Sequence, residues 1–243
     1  MLTGKTASAS IPAYAILGGL LFAGLCGLGY QLAHSALQIK QLERTVEVKG
    51  LSEREVPADI AIWPLTFSVA DNDISALYQN IQQKNASVLE FLKNNGFQPE
   101  EASIAVPSVV DKQAREYGDP GDNAKYRYTA SSTITVYSSQ VDKVRETMLK
   151  IAELGQQGIP IAGDSYNTQF IYSKLNEIKP VMIEEATKSA RESANKFAKD
   201  SDSTLGKIKR ANQGTFSIEN RDPGTAHIKK VRVVSTVEYY LSD

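Results

Sequence analysis

The chain has 243 residues, 42% hydrophobic and 23% charged, with a formal net charge of -1, which is the make-up of a folded protein of one or two domains. All 28 acidic residues but only 25 of the 27 basic ones lie beyond Lys40, so no basic excess is present to hold nucleic acid. A lone cysteine, Cys26, and two histidines exclude intrachain disulfides, multi-cysteine metal sites, iron–sulfur clusters and three-histidine centres.

Residues 1–10 form a short tail. Ile11 to Tyr30 then runs for twenty residues without a charge, about 30 Å as a helix, which matches a bilayer core. Ala33-His34-Ser35 offers the small residues a signal peptidase reads, whereas the length of the run and the single lysine before it favour a retained anchor. Lys5 and the terminal amine on one side, and Lys40, Arg44 and Lys49 on the other, leave its orientation open. Ala15, Gly19, Ala23 and Gly27 recur every four residues and put a small-residue face on the helix, suited to packing against another span. Gln31 to Glu43 extends the helix out of the membrane. The transmembrane helix and extension are assigned to 11–39 and one domain to 40–243, with strand-like sequence beginning near Arg44.

Thr45 to Gly50 alternates as a strand, and Glu55 to Val69 reads as a longer one. Its inward phase shifts from Ile60 and Ile62 to Trp63, Leu65, Phe67 and Val69 around Pro64, which predicts a bulge or an edge. Asp71, Asn72 and Asp73 are N-cap candidates for a helix carrying Ile74, Leu77, Ile81, Val88 and Leu92 on one face and ending at Gly96. Ser103 to Arg115 and Lys125 to Tyr137 read as a long hairpin with a turn-rich tip at Tyr117, Gly118, Asp119, Pro120, Gly121 and Asp122. A second helix follows Ser138 or Ser139 with Val141, Val144, Met148, Ile151 and Leu154 on one face, then Gly155 and Gly158.

Thr168 to Tyr172 predicts a short strand. Pro180 opens a long helix whose stripe of Met182, Ala186, Ala190, Ala194 and Ala198 suits close approach to a sheet, with Gly206 as its stop. Lys207 to Ile218 and His227 to Leu241 enclose a turn at Asn220 to Gly224. The order of elements predicts an α+β domain, hairpins of a mixed sheet covered by helices. A helix followed by two strands joined through Asp-Pro-Gly, at Asp119 and again at Asp222, hints at an internal duplication.

No pattern announces a reaction. His227 lacks a nucleophile elbow and reads as a surface residue at a strand end, and the glycines of 155–163 lack the phosphate-loop spacing. Asp119, Asp122, Glu184 and Glu185 read as a turn and a solvated helix face, and the tyrosines, among them Tyr126, Tyr128, Tyr137, Tyr239 and Tyr240, as cross-strand packing with wet hydroxyls. No catalytic, cofactor-binding or metal-binding residue is assigned, and the chain is read as a non-enzyme without a cofactor.

Four stretches together resemble the SIMPL domain family of bacterial envelope proteins, which includes the YggE-like proteins. They are Val46 to Gly50 running into Val56-Pro57-Ala58-Asp59-Ile60-Ala61, then Tyr128 to Val136, then the alanine-rich Ala186 to Gly206, then Val231 to Leu241. Lys49 and the retained-looking anchor depart from the pattern. The resemblance implies an exported or anchored protein with the N-terminus cytoplasmic, one span of the inner membrane, and the domain in the periplasm or outside the cell. It also implies association with envelope and oxidative-stress phenotypes and large homo-oligomers of channel-like shape. The expected role is a ring- or cage-like homo-oligomeric scaffold in contact with membrane lipid and an envelope membrane-protein partner. Residues 117–122 are the candidate interface, and the alternative role is a module that presents a peptide, lipid or partner-protein site. The resemblance supplies no catalytic residues.

Overall fold

The computed structural model describes residues 11–41, 44–114, 125–162 and 167–242. The chain is α+β, and its strands form two antiparallel sheets. It divides into two compact units, the first comprising residues 1–52, 181–215 and 233–243 and the second residues 53–180 and 216–232.

In the first unit, α1 (Ile11–Gln41) is followed by the leading part of β1 (Thr45–Pro57). The unit also holds most of α5 (Leu175–Asp200), all of β7 (Thr204–Gln213) and the end of β9 (Ile228–Ser242). Strand order is β1-β9-β7. Met182, Ala186, Ala190, Ala194 and Ala198 are all buried, as the sequence stripe predicts, and Ala190 and Ala194 pack with Val48, Val237 and Tyr239. The small side chains let the helix lie directly on the strand. A Cβ on Gly50 would sit 1.8 Å from the Ala186 carbonyl oxygen and 2.4 Å from the Ala190 nitrogen, so only glycine fits.

Two helix boundaries differ from the sequence reading. The long helix begins at Leu175, not Pro180, which lies inside it and removes one backbone donor near its start. It ends at Asp200, where Asp202 takes a left-handed φ of 53° and Ser203 N–H donates to the Ala198 carbonyl at 2.9 Å. Gly206 is therefore not the stop. It lies in β7 against Tyr240, where the register with β9 shifts.

The second unit is built on β2 (Ile60–Asp71) and β5 (Tyr128–Ser138), paired antiparallel from Ala61↔Ser138 to Asp71↔Tyr128. Inward Ala61, Trp63, Leu65, Phe67 and Val69 meet Ala130, Ile134 and Val136, with α2 (Ile74–Asn94) supplying Leu77, Ile81, Val88, Phe91 and Leu92. The predicted phase shift is absent: burial alternates straight through Pro64, and Ala61 rather than its isoleucine neighbours faces inward. Pro64 pairs with Thr135 in regular register, and its missing N–H costs nothing because β6 (Gln169–Ile171) borders β2 only at Ile60–Ile62.

The first strand runs to Pro57, and the break falls at Ala58-Asp59. The predicted first hairpin arm is two strands, β3 (Ala102–Ile104) and β4 (Ser108–Asp111), both on β5 and separated where Pro107 lacks an N–H. Asp73 is the N-cap of α2, accepting from Ala76 N at 2.8 Å, and Gly96 closes the helix with a φ of 84°.

The second predicted helix is broken into α3 (Val141–Met148) and α4 (Ala152–Gln156). Gln140 is its cap residue, while Ser138 accepts the Gln140 N–H and donates to Glu101. β8 (Ser217–Asn220) pairs with β9 from Ser217↔Arg232 to Asn220↔Lys229. The predicted strand Lys207 to Ile218 is thus two, the ten-residue β7 and the four-residue β8, both paired with β9.

Candidate functional site

The motif turn Pro57-Ala58-Asp59 is structural. Asp59 accepts the Ser173 N–H at 2.8 Å and the Ser173 hydroxyl at 2.7 Å, while its own N–H donates to Ile171 and that of Ala58 to the His227 carbonyl. One turn thus ties β2, β6 and the start of β9 together. Burial raises the Asp59 carboxyl, but the Ser173 hydrogen bonds outweigh it and hold the group below the ordinary range. Asp222 is likewise a turn residue. It accepts from the Gly224 and Thr225 N–H groups and the Thr225 hydroxyl, and that hydroxyl with the Arg221 guanidinium lowers it to about 2.

The Asp222 turn, through Pro223 and Gly224, borders an open cleft of about 490 Å³ within the second unit, lined from α3, β6 and the segment entering β9. That volume falls in the range of small-ligand sites. Met148, Leu149, Phe170, Pro223 and Ala226 supply apolar wall, and Asp142, Arg145, Glu146, Thr168 and His227 supply the polar groups. Arg145 Nη1 meets Asp142 Oδ1 at 3.3 Å across one turn of α3, and both side chains are largely exposed. The His227 ring stands edge-on to Phe170, centroids 6.1 Å apart. Burial, then the nearby Arg145 guanidinium, push its imidazole below the ordinary histidine range despite Asp142 and Asp222. His227 thus stands half-buried just before β9, at the strand end where the sequence reading places it, and forms part of the cleft wall.

Thr168 borders the cleft, but its hydroxyl is closed off from it. Its side chain is 9% exposed, and its Oγ1 is buried without a hydrogen-bond partner. Such an orphan costs about 1–3 kcal/mol and calls for an explanation. Ser235 Oγ and Tyr239 Oη share this state in the core of the first unit, so the tyrosine hydroxyl expected to be wet is dry at Tyr239. Tyr137 is exposed, and Tyr128 lies under the Arg127 guanidinium at 4.8 Å.

A second depression of about 300 Å³ lies over β4, β5 and β2, where Ser108, Ser131 and Ser68 stand in one cross-strand row; its lining is uncharged. Lys229 is buried with the Asn220 amide oxygen as partner, and burial pushes its ammonium down. Among the described residues no three of His, Cys, Asp and Glu converge as metal ligands. Glu185 accepts the Ser52 hydroxyl at 2.6 Å instead.

The SIMPL family model, described as a protein of unknown function (DUF541), matches residues 46–237. The chain belongs to the SIMPL family. No curated protein matches the chain. The matched span holds the sheet of β2 to β6 and the cleft, stops within β9, and leaves α1 outside it.

Of the residues singled out from the sequence, Tyr117, Gly118, Asp119, Pro120, Gly121 and Asp122 lie outside the described residues, as does the Ala15 side chain. Gly19, Ala23 and Gly27 are exposed on α1, and a Cβ on either glycine would meet nothing within 4 Å. Ile16–Ser35 is long and apolar enough to cross a membrane and none of its residues is buried; a membrane anchor and a signal sequence both have this form. The cleft escapes the sequence reading because its walls come from positions far apart in the chain.

Proposed function

We infer that the protein is a single-span bacterial inner-membrane protein whose SIMPL domain faces the periplasm or the exterior, self-associates into a ring- or cage-like homo-oligomer, and acts structurally rather than as an enzyme. The observation that supports this reading is α1: Ile16–Ser35 is long and apolar enough to cross a membrane and none of its residues is buried, so lipid or other copies are needed around it. Confinement to a membrane plane raises the local concentration of domains, so modest contacts suffice to close a symmetric assembly. A role in envelope integrity or oxidative-stress defence follows from such a scaffold by keeping the envelope sound, since the single thiol, Cys26, sits in the apolar helix. Deleting Tyr117 to Asp122 is expected to lower the mass of the detergent-extracted particle measured by light scattering. An unchanged mass removes this segment from the interface.

The cleft favours a second reading, in which the domain is a binding module beside the membrane. An apolar wall and charges of both signs are the make-up of a ligand site. A monomeric chain that crosslinks to one defined envelope partner supports this reading over the scaffold.

A further inference from the structure

Strand β7 stands apart from the others. It ends the order β1-β9-β7, pairs among the described residues with β9 alone, and is exposed at every position except the half-buried Leu205. Ile208 and Ala211 pair with the buried Tyr239 and Val237, which pack under the α5 alanines, so both lie on the helix side of the sheet. Both are nevertheless exposed, and α5 therefore leaves this strand bare. Its charge is one-sided. Lys207, Lys209 and Arg210 stand together, and the strand holds no acid, whereas β1 and β9, the other strands with cations, carry both signs. Glu238 meets Lys209 at 3.1 Å and faces Arg210 in register, so one carboxylate serves two cations, and Lys207 has none among the described residues. Cations along an exposed edge keep neutral strands and a second β7 from pairing there, which leaves an acidic segment as the complementary occupant. The chain holds such a segment in residues 116–122, outside the described residues, with Glu116, Asp119 and Asp122; no other run of seven residues has three acids and no base.

We propose that residues 116–122 of one copy dock on β7 of a second copy, Asp119 and Asp122 against Lys207 and Arg210, with the Tyr117 ring over Ile208 and Ala211. The inference rests on the scaffold reading and deepens it by naming the surface that receives the segment. Segment and strand are different surfaces of the chain, so the contact is head-to-tail, the kind that closes rings. Being built on exposed charges, it draws its strength from several weak pairs acting beside a membrane that concentrates the copies.

The test is light scattering over a dilution series of detergent-extracted full-length chains with exchanged charges. Lys207→Glu with Arg210→Glu in one chain, and Asp119→Lys with Asp122→Lys in another, are each expected to raise the dissociation constant of the assembly at least about tenfold. All four substitutions in one chain are expected to restore the wild-type mass, and so is an equimolar mixture of the two variants, because both return opposite charges to every contact. Wild-type mass for either variant alone overturns the proposal, as does a low mass for the four-substituted chain and the mixture alike. Restoration in the four-substituted chain without restoration in the mixture overturns docking between copies and places the contact within one chain. A monomeric wild-type protein overturns the scaffold reading and this inference with it, whereas a large wild-type mass unmoved by charge exchange overturns this inference alone.

Discussion

Gly50→Ala is expected to be among the most damaging single-methyl additions in the molecule. The new Cβ would lie 1.8 Å from the Ala186 carbonyl oxygen, 2.4 Å from the Ala190 nitrogen and 2.9 Å from the Ala190 Cβ. Two of these obstacles are backbone atoms of α5, so no side-chain rotation relieves the contact; strand and helix must part by about 1 Å or more. That separation also loosens Ala190 and Ala194 from Val48, Val237 and Tyr239. The expected loss is about 3 kcal/mol, the upper part of the range for overpacked cores. Gly155→Ala is the control: nothing lies within 4 Å of its added Cβ, and it sits in α4, so a change within about 0.5 kcal/mol on the stabilising side is expected. Denaturant unfolding followed by circular dichroism measures both. A Gly50→Ala midpoint equal to wild type, or a Gly155→Ala loss as large as that of Gly50→Ala, refutes the account of how β1 and α5 pack.

Other consequences concern protons. The folded-state pKa of His227 is lowered, so the unfolded chain takes up a proton more readily; stability from this residue is full above about pH 6.5 and falls as pH drops toward the folded value. An NMR titration of the imidazole should give a pKa below about 6.5, and one at or above it contradicts the described burial. Asp59 is also lowered, so its contribution is present above about pH 4 and lost as pH falls through the folded value. Asp59→Asn should therefore be less stable than wild type near neutral pH, with the gap closing in acid. A pH-independent gap would mean that the charge on Asp59 plays no part in holding Ser173.

Local patterns in the sequence reach the second unit's α2, both long strands and the alanine stripe of α5, because each carries a one-face periodicity set by its own burial. Boundaries escape where tertiary contacts override local signals. Pro180 resembles a helix start, yet the chain is already helical from Leu175; Gly206 resembles a stop, yet Asp202 accepts the left-handed turn and frees the glycine for a strand irregularity. At Pro64 the two isoleucines outweighed Ala61 in the hydrophobic pattern, although the small residue is the buried one. The Pro57-Ala58-Asp59 motif was visible as a motif, but its purpose required Ser173, 114 residues away, to be brought beside it. The cleft was invisible for the same reason. Thr168, Arg145 and His227 carry no shared spacing, and the missing partner of a threonine hydroxyl is a property of three-dimensional surroundings alone.

The central claim is that the SIMPL domain itself encodes assembly beside a membrane. Light scattering after size exclusion, applied to the detergent-extracted full-length protein and to a truncated chain beginning at Gln41, tests it most directly. A large discrete mass for both is the predicted result. If only the full-length protein is large, assembly belongs to α1 and its Gly19, Ala23 and Gly27 face; monomers in both cases contradict the scaffold and leave the cleft as the domain's working surface.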